Sequence, residues 1–169
     1  MKVNKLKIGI ISDTHIAKHF ETIDNFIDKN LSEVDMIFHL GDFKTIEVVD
    51  RIKRKKKFIG VSGNNDDRSI VNALSEKEVI EIEGWKIGLF HGCGNAKTTL
   101  ENTINEFKEN TPDIIVFGHS HVPIIKTENG VLLLNPGSPF KKGKQQKLYS
   151  YIILDITKRS INASLNFFK

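Results

Sequence analysis

The chain has 169 residues, of which 39% are hydrophobic and 27% charged, a composition that excludes a disordered or membrane-embedded chain. We therefore expect a single domain over residues 1–169. The only cysteine, Cys93, excludes a disulfide framework and indicates a reducing compartment, the cytoplasm. The apolar run at residues 8–11 is too short for a signal peptide, and no segment approaches the ~20 apolar residues of a membrane span, so no membrane partner is expected.

The net charge of +4 conceals an uneven distribution. Residues 51–57 contain six cations and residues 141–147 contain four, without an acid in either run, so the rest of the chain has 15 cations against 21 acids. A basic patch could attract an anionic substrate or contact nucleic acid, whereas cations are also favoured at the solvated end of a helix. Neither run has the interleaved aromatic residues of a base-stacking surface, so the sequence favours the helix end over a nucleic-acid partner.

Five short runs rich in Ile, Val and Phe predict the strands of the first two thirds of the chain. Continuous apolar runs of four to six residues are typical of strands that are buried on both faces. The predicted strands are residues 6–11, 36–40, 58–61, 87–90 and 114–117.

Three helical patterns lie between these runs. Apolar residues recur at helical spacing in residues 20–31 and 45–52, and a third helix is expected to begin at a capping box formed by Thr98 and Glu101 and to end before Pro112. The alternation of strand and helix predicts parallel strands with crossover helices.

The second half of the chain predicts antiparallel pairing. The turn Asn129-Gly130 is a strong signal for a two-residue hairpin loop, and Glu83-Gly84 is placed in the same way. Parallel units followed by hairpins predict mixed sheets with helices packed outside, a layered α/β domain. The paired runs are residues 79–82 with 85–90, 124–127 with 131–134, and 148–156 with 160–168.

Side chains that can bind metal ions follow each of the five buried runs. In open α/β sheets, ligands gather at these carboxyl ends of the strands. A single histidine beside a strand is usually structural, but four of the chain's six histidines at three strand ends favour a metal site. Pairs two residues apart, such as His119 and His121, project to the same side if the segment is extended. The candidate ligands are Asp13, His15, Asp42, Asn64, His91, His119 and His121.

The order and spacing of these motifs resemble the calcineurin-like metallophosphoesterases. The resemblance covers residues 7–138 and rests on Asp13-x-His15, Gly41-Asp42, Gly63-Asn64, His91-Gly92 and Gly118-His119-x-His121. The short chain, the Gly-Asn-x-Asp form at 63–66 and the sequence Asn-Pro-Gly-Ser at 135–138 are similar to the small bacterial and archaeal phosphodiesterases of that superfamily. The resemblance implies a four-layer αββα sandwich of two mixed β-sheets flanked by helices.

The resemblance also implies a site for two divalent metal ions and a small phosphodiester substrate. The implied reaction is attack of a metal-bridging hydroxide on phosphorus, with Asp42, His91 and Asn64 as catalytic residues. Nitrogen and oxygen ligands without thiolate suit Mn, Ni, Fe, Co or Zn, and the resemblance favours manganese. By this resemblance, Asp13, His15 and His121 would hold one ion, Asn64, His91 and His119 the other, and Asp42 would bridge both.

Five neighbouring features leave alternatives open. Asn65 stands where larger relatives have a histidine that protonates the leaving group, and an amide has no useful proton to give. Cys93 stands where relatives often have a histidine, and could be a thiolate beside the second metal or a small residue in a tight turn. His39 could orient a ligand or substrate, or pack behind the site; Asp66 could orient a metal-bound histidine or form an Asx turn. Residues 135–138 could line the substrate pocket or form a rigid turn.

Two functional hypotheses follow. The first is a metal-dependent phosphodiesterase. The second is a catalytically weak or silent protein-interaction scaffold of the same fold, as in the retromer complex, where a protein partner replaces the substrate. The retention of all seven expected ligands favours the enzyme, whereas Asn65 in place of the acid histidine keeps the scaffold open. Dimers are common among the relatives, so a homodimer is possible.

Overall fold

Two five-stranded sheets face each other in the computed structural model, which describes residues 5–140 and 148–169. The strands are β1 (Leu6–Ile11), β2 (Met36–His39), β3 (Lys57–Gly60), β4 (Lys77–Ile82), β5 (Trp85–Phe90), β6 (Ile114–Phe117), β7 (Ile124–Glu128), β8 (Val131–Asn135), β9 (Tyr149–Ile156) and β10 (Ile161–Phe168). The helices are α1 (Glu21–Asn30), α2 (Ile46–Lys55), α3 (Arg68–Ala73) and α4 (Thr99–Glu106).

Both sheets are mixed, as the sequence predicts. The first has the order β10-β9-β1-β2-β3, in which β1, β2 and β3 are parallel and β9 and β10 form an antiparallel hairpin. The second has the order β4-β5-β6-β8-β7, in which β5, β6 and β8 are parallel and the outer strands are antiparallel. The parallel strands of each sheet therefore end at the same edge.

Three apolar clusters separate the four layers. The first lies between the sheets and includes Ile8 and Ile10 of β1 with Leu89 of β5. The second packs α1 and α2 against the outer face of the first sheet, where Ile11 contributes from β1. The third packs α4 against the second sheet through Phe107. Because side chains alternate across a strand, β1 supplies both of its faces with apolar groups, and the αββα sandwich is confirmed.

The helix α4 begins where the sequence predicts, with Thr98 as its N-cap residue, but the bonds of the predicted capping box are not formed as expected. The Thr98 side chain makes no capping hydrogen bond to the helix. Instead, Asn95 Oδ1 accepts hydrogen bonds from the backbone N–H groups of Lys97 (2.9 Å) and Thr98 (3.3 Å), while Thr98 Oγ1 accepts one from the Asn95 N–H at 3.0 Å. The short helix α3 was also not predicted, although Asp67 caps it by accepting from the Ile70 N–H.

The basic run at residues 51–57 lies at the end of α2 and beyond. Arg51 pairs with Asp24 of α1 and with Glu47, and Lys55 binds Asp28 of α1 at 2.7 Å. Lys56 Nζ donates to the backbone carbonyl groups that follow α1. These contacts use the cations to hold α1 and α2 together, which favours the helix-end interpretation. The other basic run, 141–147, lies outside the described residues. Within residues 5–140 and 148–169, no helix is long and apolar enough to span a membrane.

Candidate metal centre

Five loops converge where the parallel strands of the two sheets end. They follow β1, β2 and β3 in the first sheet and β5 and β6 in the second, and each contributes at least one of the seven candidate ligands. Asp13, Asp42 and His91 form a buried floor, whereas Asn64 is exposed. Because the strand ends of two separate sheets converge here, residues up to about a hundred positions apart in sequence come together.

Asp13 has one carboxylate oxygen held by the protein and the other directed into the site. Its Oδ2 accepts hydrogen bonds from the Ser12 hydroxyl (2.6 Å) and from the His119 backbone N–H (3.0 Å). Its Oδ1 is buried and has no hydrogen-bond partner among the described residues, although His121 Nε2 lies 3.2 Å away. Burial raises the pKa of Asp13, but the contact with His121 and the charges of His91 and His121 outweigh it and lower the pKa to about 2.

The first cluster of ligand atoms consists of Asp13 Oδ1, His15 Nε2 and His121 Nε2. The two histidine nitrogens lie 3.4 Å apart, and their rings are stacked with centroids 5.3 Å apart. His15 Nε2 lies 3.9 Å from Asp13 Oδ1. These three atoms could be ligands of one metal ion.

The second cluster consists of Asn64 Oδ1, His91 Nε2 and His119 Nδ1. Asn64 Oδ1 lies 3.1 Å from each of the two histidine nitrogens, which are 3.2 Å apart. Two ligand atoms ~2.1 Å from one ion and at right angles to each other are ~3 Å apart. The spacing of the three atoms is therefore that of ligands sharing a divalent ion.

Hydrogen bonds to backbone carbonyl groups fix which histidine nitrogens face this second cluster. His91 Nδ1 donates to the Leu40 carbonyl at 2.5 Å, and His119 Nε2 donates to the Gly94 carbonyl at 2.9 Å. In the neutral form of each imidazole, His91 Nε2 and His119 Nδ1 therefore carry the lone pairs, which converge on Asn64 Oδ1. Converging lone pairs repel one another unless a cation lies among them, so the residues present fit a metal ion.

Asp42 lies between the two clusters and faces each with a different oxygen. Its Oδ2 is 3.5 Å from His15 Nε2 of the first cluster, and its Oδ1 is 3.5 Å from His91 Nε2 of the second. Asp42 is buried, with 1% of its surface exposed. A carboxylate placed in this way could bridge two cations.

The loops that bear the ligands adopt left-handed backbone conformations, in contrast to the extended segments that the two-residue spacing predicts. The φ angles are 56° for Asp13, 49° for His15, 58° for Asp42, 65° for His119 and 56° for His121. In this backbone His119 and His121 do not project to the same side but join different clusters. Asp13 and His15, with the same spacing and left-handed backbone, join a single cluster. Positive φ is unfavourable for residues other than glycine, and such strain is concentrated at functional sites.

Glycine is required where two of these loops touch. A Cβ atom at Gly118 would lie 1.9 Å from Ser12 Oγ and 2.8 Å from Asp13 Oδ2. A Cβ atom at Gly63 would lie 2.3 Å from the Asp42 backbone nitrogen. Both glycines therefore allow the loops of different strands to approach closely enough for their carboxylates to reach a common centre.

Asn65 and Asp66, in the loop that follows β3, act on Asp42 and on the loop that bears it. Asn65 donates to both oxygens of Asp42, from its backbone N–H (2.8 Å) and its side-chain amide (2.7 Å). Asp66 accepts hydrogen bonds from the N–H groups of Gly63 (2.7 Å), Asp42 (3.1 Å) and Lys44 (2.8 Å). Asp66 thus joins the loop after β3 to the loop after β2, a role that neither sequence-based alternative included. Burial raises the pKa of Asp66, against the effect of these N–H groups.

His39 packs behind the site. It is fully buried, its ring stacks on Phe43 with centroids 3.7 Å apart, and its Nε2 lies 3.0 Å from the Thr14 hydroxyl. Burial is the main cause that lowers its pKa to about 3, so the imidazole is neutral at physiological pH. Through Thr14 the ring supports the loop that carries Asp13 and His15.

Cys93 lies in a turn, exposed, between Gly92 and Gly94, whose φ angles are 103° and 95°. Among the described residues, two groups of acidic and histidine side chains have ligand atoms close enough to share an ion, and the Cys93 thiol belongs to neither. The geometry favours the tight-turn interpretation. The turn also supplies the Gly94 carbonyl group that orients His119.

Residues 135–138 form hydrogen bonds to the backbone of two of the loops that bear candidate ligands. The Asn135 amide donates to the Gly118 carbonyl at 2.8 Å, and the Ser138 hydroxyl donates to the Asp13 carbonyl at 2.9 Å. Both side chains are buried, which supports the rigid-turn alternative. The sequence motif marked this segment, but Ser12, whose hydroxyl also holds Asp13, was missed because nothing in a single sequence distinguishes it from an ordinary serine beside a strand.

The model of the calcineurin-like phosphoesterase superfamily domain matches residues 6–159. The chain belongs to the calcineurin-like phosphoesterase superfamily, a family of phosphoester hydrolases, and both the resemblance found in the sequence and the expected enzyme class are confirmed.

Two relatives from Methanocaldococcus jannaschii illustrate the subgroup. A probable metallophosphoesterase is 36% identical over 138 residues, covering 78% of this chain and 67% of the relative. A protein named as a phosphodiesterase is 30% identical over 146 residues, covering 78% of this chain and 83% of the relative.

Solved structures confirm the fold. A predicted phosphoesterase from Streptococcus pneumoniae has a TM-score of 0.75 at 24% identity and covers 96% of this chain and 89% of its own. Vps29 from Entamoeba histolytica, in a single-mutant form, has a TM-score of 0.72 at 22% identity and covers 97% of this chain and 100% of its own. At these identities the likeness shows the fold alone.

Proposed function

We propose that this protein is a phosphodiesterase that uses two divalent metal ions and hydrolyses a small phosphodiester. The observation that carries the proposal is the position of Asp42, which presents one oxygen at 3.5 Å to each of the two ligand clusters. A single ion would need one cluster only. In this proposal Asp13, His15 and His121 hold one ion, Asn64, His91 and His119 hold the other, and Asp42 bridges both.

The chain's own residues set the charge of the site. Asp13 and Asp42 are the only two carboxylates among the seven ligands, whereas neutral imidazole and amide ligands add no charge, so two divalent ions leave an excess of about two positive charges. This excess favours a phosphodiester anion. When bound, such a pair of ions activates water and stabilises the charge that develops on the phosphate oxygens.

The reaction is hydrolysis at phosphorus. The oxygen of water forms a new bond to phosphorus, the bond to one ester oxygen breaks, and the products are a phosphomonoester and an alcohol. Asn65 and His39 are not acids in this scheme, since the amide is engaged with Asp42 and the imidazole is buried and neutral. Solvent water protonates the leaving group, and esters with acidic alcohols react fastest.

Manganese is the proposed metal, with nickel, iron, cobalt or zinc as the alternatives. The set of imidazole, carboxylate and amide ligands accommodates any of these ions, and thiolate is not among them. The predicted location in the cytoplasm depends on the low cysteine content of the sequence. A homodimer also stays a prediction, which light scattering can test.

The test is hydrolysis of bis(p-nitrophenyl) phosphate and of the monoester p-nitrophenyl phosphate by protein loaded with manganese. We expect turnover of the diester, two metal ions per chain by elemental analysis, and loss of both the activity and at least one ion in Asp42→Asn. Asp50→Asn, which changes an exposed carboxylate of α2, is the matched control. Equal rates in wild type and Asp42→Asn, or no turnover of any diester, would overturn the proposal and favour the scaffold.

A further inference from the structure

A cavity of about 220 Å³ opens beside the second ligand cluster. Asn64 and His91 form its boundary with the candidate metal centre, and Val71, Glu76, Phe90 and Cys93 lie along the rest of its wall. Sites for whole drug-sized ligands are larger, ~300–1,000 Å³. The cavity therefore has room for one substituent of a phosphodiester whose phosphate lies at the metal centre.

The wall is apolar at two places. Val71, on α3, is 47% exposed, and Phe90, at the end of β5, makes an edge-to-face contact with Phe107. A single exposed valine is common on protein surfaces, but this one borders a concave space next to polar ligand groups. Val71 and Phe90 can remove an organic group from water while leaving the phosphate among polar side chains.

The wall also includes one acidic side chain, that of Glu76. Glu76 immediately precedes β4, and the neighbouring Ser75 carbonyl accepts a hydrogen bond from the Ser62 backbone N–H at 2.9 Å. This bond ties the segment before β4 to the chain just before Asn64. A carboxylate held there attracts a cationic group and repels a second anionic group.

We propose that this cavity binds one ester substituent of the substrate and selects a small organic group that is uncharged or cationic over one that is anionic. The inference rests on the proposed function, because the phosphate to which the group is attached must lie at the metal centre. Apolar contact with Val71 and Phe90 gives affinity, and Glu76 determines the preferred charge.

The first test uses three methylphosphonate monoesters that carry a single ester substituent of similar size: choline, 3,3-dimethylbutyl and 3-carboxypropyl. Their alcohols are only weakly acidic, so the esters react slowly and can be used as inhibitors. They are measured as inhibitors of bis(p-nitrophenyl) phosphate hydrolysis. We expect the choline ester to bind most tightly and the carboxypropyl ester most weakly. In Glu76→Gln the inhibition constant of the carboxypropyl ester divided by that of the choline ester should fall about two- to fivefold, which is the scale of an exposed charge pair. Glu81→Gln, which changes an exposed glutamate of β4, should leave the ratio unchanged.

The second test probes the apolar wall. Val71→Trp should fill the cavity and weaken the 3,3-dimethylbutyl ester about tenfold or more, while inhibition by inorganic phosphate stays unchanged. Val79→Trp is the matched control, since Val79 is a similarly exposed valine (42%) on β4 and does not border this cavity. Both positions are exposed, so neither change creates a cavity or a clash in the core.

Cys93 supplies a measurement that does not depend on activity. It is the only cysteine of the chain, it is exposed, and it borders the cavity. A bound 3,3-dimethylbutyl ester should slow its alkylation by iodoacetamide severalfold in wild type but not in Val71→Trp. Equal inhibition by the three esters together with unchanged alkylation would overturn the inference. If manganese-loaded wild type still hydrolyses diesters in that case, only the inference about the cavity is wrong and the proposed function is retained. If the esters protect Cys93 but no diester is hydrolysed, the cavity binds the substituent and the proposed function is wrong.

Discussion

Asn65 donates two hydrogen bonds to the single carboxylate of Asp42, one to each oxygen, at 2.8 and 2.7 Å. The two bonds fix the plane of the carboxylate relative to both ligand clusters. Each oxygen still has a lone pair for a cation, because a carboxylate has about four acceptor sites. Where larger relatives have a histidine that serves as an acid, this chain has a residue that positions the proposed bridging ligand.

Replacing Asn65 should therefore weaken metal binding. In Asn65→Ala the backbone bond to Asp42 remains and the side-chain bond is lost, so we expect metal affinity to fall about 10- to 100-fold, as for other groups that orient metal ligands. Competition with a chromogenic chelator measures the affinity. Asn110→Ala, at an exposed position away from the site, is the control. Unchanged affinity in Asn65→Ala would show that the side chain does not position Asp42.

Adding metal should stabilise the fold, because the second cluster brings three lone pairs together at about 3 Å. A ligand at 100 times its dissociation constant adds about 2.7 kcal/mol to the free energy of unfolding. We expect at least this gain on loading metal-free protein with manganese, measured by urea unfolding. His119→Ala removes one of the three repelling groups, so its metal-free form should lose little stability and its gain on loading should be smaller. Equal gains in both proteins would contradict the metal site.

Gly118→Ala should destabilise the protein by crowding two loops. The added Cβ would lie 1.9 Å from Ser12 Oγ, and overpacking of this kind costs about 1–3 kcal/mol. The double variant Gly118→Ala with Ser12→Gly removes the nearest atoms and should recover part of the loss. Denaturant unfolding of the single and double variants measures the loss of stability and its recovery. If the second change brings no recovery, the contact between the loops is not the cause.

His39 should make the stability depend on pH. The burial that lowers its pKa to about 3 keeps it neutral in the folded chain, whereas the unfolded chain binds a proton near pH 6.5. Its contribution is therefore complete above about pH 6.5 and is lost as the pH falls towards 3. In metal-free protein we expect the free energy of unfolding to fall by about 2 kcal/mol less between pH 7 and pH 5 in His39→Asn than in wild type. Parallel pH profiles would contradict this assignment.

The sequence alone predicts the strands and most helices, because burial on one or both faces imposes a local pattern of apolar residues. The third helix shows the limit of such patterns: Thr98 and Glu101 match a capping box, yet Asn95 closes the turn before α4. The positions of the candidate ligands at strand ends are equally local, since each lies directly after an apolar run. Their assignment to one edge of the sandwich follows from the parallel order of the strands.

The family resemblance implies which of these side chains share an ion, but the residue pattern itself does not, and only the tertiary structure shows how they meet. Two-residue spacing in an extended segment predicts that His119 and His121 share a side, but the backbone is left-handed at both positions and they join different clusters. Contacts between distant segments hold that backbone, such as the hydrogen bond from the His119 N–H to Asp13, 106 residues earlier. A local pattern of residues contains no information about such contacts, because their energy depends on how two sheets and their loops pack against each other.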